Sequence, residues 1–216
     1  MKEKIVSEFH SKRAARVIEN MKRRNIEGAY FPDRRGAISH ICGLIPAGAT
    51  VGLGGSVTIV ESGLVDALRG LNAKLLDRYK EGVSPEEVFE MRRRGMTSDV
   101  FIASCNAISY DGRLVNQDGL GNRVGGIIFG PEKVILMAGM NKLVPTVEDG
   151  ARRIKEYVAP LNSVRFGADT PCARTGFCDE AACFPPSRIC NQLTVIEASA
   201  APGRITVVLV GEELGF

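Results

Sequence analysis

Between Ser104 and Gly126 the chain reads SCNAISYDGRLVNQDGLGNRVGG, setting Asn106, Asp111, Asn116, Gln117, Asp118, Asn122 and Arg123 between two apolar runs. Carboxylates, carboxamides and a guanidinium at this density supply acceptors, donors and a proton carrier, and beside buried strands they need partners. A polar ligand is one such partner. Glycines 112, 119, 121, 125 and 126 punctuate the stretch and let the backbone turn sharply or another group approach closely. Any one of these Asn or Asp residues alone reads as an Asx turn; together they read as a binding or catalytic site. Arg123 is placed to hold a carboxylate or phosphate in a fork, with a salt bridge to Asp118 or Asp111 as the plainer alternative.

Four other places carry residue types with chemistry. Gly52-Leu53-Gly54-Gly55-Ser56-Val57-Thr58 joins a strand to a helix start. Free N–H groups and the positive helix end suit an anion at Gly54, Gly55, Ser56 and Thr58, or simply a tight turn with Ser56 or Thr58 as cap. The spacing is neither a Walker motif nor a dinucleotide fingerprint. Glu61 is a candidate base or nucleophile one turn above that loop, unless it closes a capping box with Thr58. Lys142 follows VILMAGMN, just past a strand, where a lysine holds an anion, serves as acid and base if desolvated, or is merely solvated. Cys172, Cys178, Cys183 and Cys190 fall in one aperiodic Pro-rich loop. Four thiolates there would suit zinc or an iron–sulfur cluster; otherwise they pack as small apolar side chains.

These residues need a scaffold, and the remaining sequence describes one. With 216 residues, 44% of them hydrophobic and 25% charged, the chain has enough material for one domain with a sizeable core. Short apolar runs at 50–53, 74–76, 100–103, 134–138, 193–196 and 205–210 alternate with amphipathic stretches at 4–25, 33–41, 56–68, 84–94 and 146–157. That alternation predicts an α/β fold with a mostly parallel sheet covered on both faces. Ser84-Pro85-Glu86-Glu87 is a strong helix start, and Thr146 with Asp149 another. No domain boundary is evident within 1–216, and residues 160–192 read as an irregular segment within the single domain.

Composition also excludes function classes. The net charge is only +3, there is no Trp, and no basic stripe is interleaved with aromatics, so nucleic acid is not an expected partner. Arg92-Arg93-Arg94 and Lys22-Arg23-Arg24 read as solvated groups at helix ends. The N-terminus lacks a signal-peptide core, and no run is long enough for membrane insertion, so a cytoplasmic protein is expected. In that compartment the six cysteines are thiols or ligands, not a disulfide framework.

VGLGGSVTIVESG at 51–63 and SCNAISYDGRLVNQDGLGNRVGGIIFGPEKVILMAGMNKLV at 104–144 resemble the LUD domain, the lactate-utilisation family. The tail at 159–192, APLNSVRFGADTPCARTGFCDEAACFPPSRICNQ, resembles the Cys-bearing ending of its shorter members. The resemblance implies a three-layer α/β/α sandwich related to ribose-phosphate isomerases, glucosamine-phosphate deaminases and CoA transferases. By analogy with those folds it places Gly54, Gly55, Ser56, Glu61, Asp111, Asp118 and Lys142 in one crevice, with Glu61, Asp118 and Lys142 as the catalytic candidates. It also implies a small anionic metabolite as ligand and iron–sulfur proteins of lactate oxidation as partners; a homo-oligomer is compatible with it. The ferredoxin-like region of larger members, with its repeated CxxCxxC runs, does not occur here.

Overall fold

The computed structural model describes residues 1–216. Its strands are β1 (Ile26–Phe31), β2 (Thr50–Leu53), β3 (Lys74–Leu75), β4 (Val100–Ala103), β5 (Ala107–Ser109), β6 (Leu114–Asp118), β7 (Lys133–Gly139), β8 (Leu143–Val144), β9 (Gln192–Ile196) and β10 (Ile205–Val210). Six of them form a sheet in the order β1-β10-β7-β4-β2-β3, and every pairing in it is parallel. The helices are α1 (Lys2–Lys22), α2 (Arg34–Gly43), α3 (Val57–Glu61), α4 (Leu64–Arg69), α5 (Pro85–Gly95), α6 (Asn122–Ile128), α7 (Val147–Arg153), α8 (Ala159–Arg165) and α9 (Pro171–Thr175). The expected α/β class, with its parallel central sheet, is the one found. No helix is long and apolar enough to cross a membrane.

The strands read as unbroken apolar runs because both faces are buried. On β10, Ile205, Val207 and Leu209 point into one core and Val208 and Val210 into the other. β7 divides Val134, Leu136 and Ala138 from Ile135 and Met137 in the same way. The first core is covered by α1, through Ala14, Val17 and Met21, and by Ile127 of α6. The second is covered by Ala37 and Ile41 of α2, Ile59 of α3 and Leu64, Val65 and Leu68 of α4. Each fully buried aliphatic side chain contributes about 1.5–3 kcal/mol, so these two layers hold the sheet between them.

Two sequence expectations change here. A single helix over 56–68 is broken in two, because Gly63 takes φ +84° and caps α4 in the left-handed region. The segment expected as one helix over 146–157 passes instead from α7 into a π-helical turn at Ile154–Val158 and on into α8. Its start is as expected, with the Thr146 side chain accepting from Asp149 N. The Ser84/Glu87 capping box also forms in full.

A second sheet, which the pattern of apolar runs does not announce, has the order β8-β5-β6-β9. Leu193–Ile196, expected as a strand, belongs to it, pairing antiparallel with β6. The small sheet packs on α7 and α8 through Ala107, Val115, Val144, Ile154, Val158 and Ala159. It stands beside the carboxyl end of the main sheet and walls the site described next.

Candidate functional site

β2, β4 and β7 are neighbours in the sheet and run the same way, so their carboxyl ends open side by side. The loop Gly54–Ser56 leaves β2, Ser104–Asn106 leaves β4, and the 3-10 turn Met140–Lys142 leaves β7. These exits border a cavity of about 790 Å³ that also takes in Gln117 and Asp118 from β6. Crevices at the carboxyl ends of parallel strands are the usual ligand sites of such sheets. Of the residues read from the sequence, Gly55, Ser56, Thr58, Glu61, Asn106, Asp118, Asn122, Arg123 and Lys142 line it.

Lys142 is 4% exposed at the floor of this cavity. Its Nζ donates to Thr58 Oγ1 at 2.8 Å, Ser104 Oγ at 3.1 Å and the Cys105 carbonyl at 3.2 Å. No carboxylate stands among these partners. Burial pushes the ammonium down to about 8, and the charges of Arg153 and Arg123 push the same way. A lysine poised there exchanges a proton at ordinary pH, which a solvated lysine does not.

Arg123, 7% exposed, is held differently from either sequence reading. Its guanidinium donates to the Ser104 carbonyl (2.8 Å), Asn116 Oδ1 (2.9 Å), Asn106 Oδ1 (2.8 Å) and the Gln117 carbonyl (2.7 Å). These are neutral acceptors, and neither Asp118 nor Asp111 forms an ion pair with it. Asp118 instead accepts backbone N–H groups: Gly119 on one oxygen, Arg123 and Val124 on the other. It therefore caps α6, whose own N-cap residue, Gly121, has no side chain to do so. Asp118 seats the helix, and Arg123 ties that helix to the exits of β4 and β6. The Gln117 Oε1 is buried without a hydrogen-bond partner on the cavity wall.

In the β2 loop, Ser56 caps α3 by accepting from Ile59 N, and its own N–H is taken by the Tyr79 hydroxyl at 3.0 Å. Tyr79 in turn donates to the Gly54 carbonyl. Thr58 lies inside α3, buried, so Thr58 and Glu61 form no capping box; Glu61 is exposed on the cavity wall. Gly54 sits behind the wall, where a Cβ would come within 2.8 Å of Ala103 Cβ and 3.2 Å of Arg123 Cγ. Gly54→Ala should push the loop outward, costing about 1–3 kcal/mol by chemical denaturation and weakening ligand binding; an unchanged denaturation midpoint would show the loop is slack.

The remaining expected residues fall elsewhere. Asp111 is at the β5–β6 turn, ion-paired with Arg24 at 3.0 Å and Arg113 at 2.9 Å, and lies outside the cavity. Asn116 is fully buried behind it and serves Arg123. All six cysteines are free thiols. Cys190 is on the cavity rim, while Cys172 is buried with its Sγ 3.3 Å from both Ser163 Oγ and Thr170 Oγ1. Burial pushes the Cys178 and Cys183 thiols up. No group of three or more His, Cys, Asp or Glu side chains is arranged to hold a metal ion. Cys172 and Cys190 raise the Cys178 and Cys183 thiols further, so the loop keeps the four side chains near one another.

Other residues in the cavity escaped the sequence reading: Ser104, Tyr79, and the arginines Arg78, Arg92, Arg165 and Arg188. Arg92 belongs to the run read as a solvated helix end; Arg93 and Arg94 are indeed exposed, but Arg92 turns inward. The signal that would find it is the α5 helical phase, which separates Arg92 from its two neighbours. A second depression of about 710 Å³ lies at the amino end of the sheet, near Asp99 and Arg204. Two of its polar groups are already used: Asp99 accepts from Thr50 N, and Arg204 donates to the Pro131, Ile127 and Gly126 carbonyls.

A family model described as the LUD domain matches residues 14–210. None of the curated protein sequences compared matches the chain. Among solved structures, a DUF162 family protein from Deinococcus radiodurans is similar over 93% of this chain and 98% of its own, with a TM-score of 0.52 at 14% identity. Ribose 5 phosphate isomerase A from Neisseria gonorrhoeae aligns over 84% of this chain and 93% of its own, also at 14% identity; its TM-score of 0.40 is too low to argue from. At such identity the first likeness speaks to fold alone.

Proposed function

The chain belongs to the LUD domain family, and on that premise we propose that it binds a small anionic, hydroxylated metabolite in the cavity over β2, β4 and β7 and moves a proton on it. The ligand class is a hydroxy acid or a sugar phosphate. The family's link to lactate utilisation is the reason to include 2-hydroxy acids. The observation that carries the reading is Lys142, desolvated at the cavity floor against two hydroxyls with no carboxylate partner. A charge buried this way costs stability, and such a cost is retained where function uses it.

In its cationic form Lys142 holds an oxyanion or donates a proton. As the neutral amine it takes a proton from a substrate carbon or hydroxyl, directly or by way of Ser104 or Thr58. Glu61, at the exposed wall, is the second proton carrier. Asp118 acts by seating α6. If the amine is the working base, turnover rises as pH passes through about 8 and levels above it.

The first test is a thermal-shift panel of hydroxy acids and sugar phosphates on metal-analysed, anaerobically purified protein. A colourless, metal-free protein stabilised by members of the panel supports the reading. A brown protein with thiolate charge-transfer bands would instead favour a redox accessory or sensor built on the Cys172–Cys190 loop. Glu61→Gln is expected to leave ligand affinity and melting temperature nearly unchanged while abolishing turnover, since the Glu61 side chain caps nothing. Loss of thermal stability alone would return Glu61 to a structural role.

A further inference from the structure

We propose that Arg78, Arg92 and Arg165 form a phosphoryl-binding subsite on the cavity wall, so that the ligand is a phosphorylated metabolite and not a simple monocarboxylate. This rests on reading the cavity as a small-molecule site, and it narrows the ligand class. The three arginines come from different elements: Arg78 from the segment after β3, Arg92 from α5, Arg165 from the end of α8. All three line the same cavity.

None of the three is within 4.0 Å of a carboxylate, although ion pairs of that length occur throughout the chain. Arg188, also on the wall, differs, since it donates to the Cys190 and Cys183 carbonyls and faces Glu180. The Nε atoms of Arg78 and Arg92 are shut off from solvent with no hydrogen-bond partner. The head of Arg78 stands over the β2 loop, 3.4 Å from where a Cβ on Gly55 would be. Burial holds the Arg78 guanidinium below its usual range; Arg92 and Arg165 repel it, while Tyr79 and Asp118 pull the other way. Arg165 bonds only the neutral Asn162 Oδ1 and stacks 4.1 Å over Phe166.

Like charges gathered at one wall from three elements, with donors left unpaired, are unfavourable unless a counter-anion arrives with the ligand. With Arg123 and Lys142 the three outnumber the cavity's two carboxylates, Glu61 and Asp118. A monocarboxylate leaves most of that excess uncompensated. A phosphoryl group brings close to two charges and three acceptor oxygens, which match guanidinium forks from several directions.

The test is isothermal titration of the full chain with inorganic phosphate, glycerol 3-phosphate and lactate. It is repeated on Arg78→Met, Arg92→Met and Arg165→Met, with melting temperatures of the ligand-free proteins alongside. Glycerol 3-phosphate is expected to bind more tightly than inorganic phosphate, and both more tightly than lactate. Arg78→Met and Arg92→Met should each weaken both phosphates by about tenfold or more. Their ligand-free melting temperatures should hold or rise, because each removes a repelling charge; an arginine serving only structure would lower them. Phosphate binding indifferent to all three substitutions overturns the subsite. Lactate binding without phosphate binding overturns the subsite and leaves the cavity reading standing. Failure of all three probes overturns both.

Discussion

Replacing Lys142 with methionine will raise the melting temperature while removing turnover. The ammonium sits at the cavity floor with its pKa at about 8 instead of the ordinary 10.5. At neutral pH the folded protein therefore carries a charge that it holds less well than water does, by roughly 3 kcal/mol. Methionine fills much the same volume without the charge. Against the gain stand three lost hydrogen bonds, at about 1 kcal/mol or less each where the acceptors find other donors. Thr58 Oγ1 keeps its bond to Leu214 and Ser104 Oγ its bond to the Cys105 carbonyl. The net gain is on the order of 1–2 kcal/mol, or ~2–8 °C for a chain of this size.

The pH dependence separates this from a packing effect. Between about 8 and 10.5 the unfolded chain holds the lysine proton while the folded one releases it. Wild-type stability therefore gains a rising contribution with pH across that window, and the advantage of Lys142→Met fades toward its upper end. Denaturation at pH 7 and pH 10 on both proteins measures the difference directly. A variant less stable than wild type at pH 7 would mean that the lysine is there to hold Thr58 and Ser104 together.

Arg123→Ala is expected to cost about 3–5 kcal/mol of stability, enough to leave much of the protein unfolded at physiological temperature. Truncation removes the guanidinium donor from two carbonyls and two carboxamide oxygens; Asn106 Oδ1 keeps the Gln117 N–H, and each buried acceptor left without a donor costs about 1–3 kcal/mol before relaxation. Arg123→Lys recovers only part of this, because a compact ammonium cannot span acceptors on opposite sides of a guanidinium plane. Urea titration measures the loss. If Arg123→Ala instead keeps its midpoint and binds anions poorly, the guanidinium serves ligand, as the sequence alone suggests, and the four internal bonds are dispensable.

The central sheet was legible because its physics is simple. VFIA, VILMA and ITVVLV are buried on both sides, and that leaves an unbroken apolar run. The caps at Ser84 and Thr146 were legible because each partner lies three residues on. What stayed hidden lacks either signature. β5 and β8 are three and two residues long, too short to show a period. The start of α6 is capped by a carboxylate four residues before its first residue, outside any capping-box spacing. In the site, the polar stretch and the glycine loop were recognisable by density. Arg78, Arg92 and Arg165 were not, since isolated arginines on three elements have no common spacing and only the fold brings them to one wall.

The position of β10 has a bearing on biosynthesis. Residues 205–210 stand between residues 26–31 and residues 133–139. While the ribosome is still making the second half of the chain, β1 has no neighbour to pair with, and the β7 edge is bare. β1 and one edge of β7 then wait with unsatisfied amides until a segment about 180 residues downstream of the first and about 70 downstream of the second slots between them. The nascent chain thus carries an open sheet until residue 210 has emerged, the condition in which holdase chaperones bind and in which strand-edge aggregation begins.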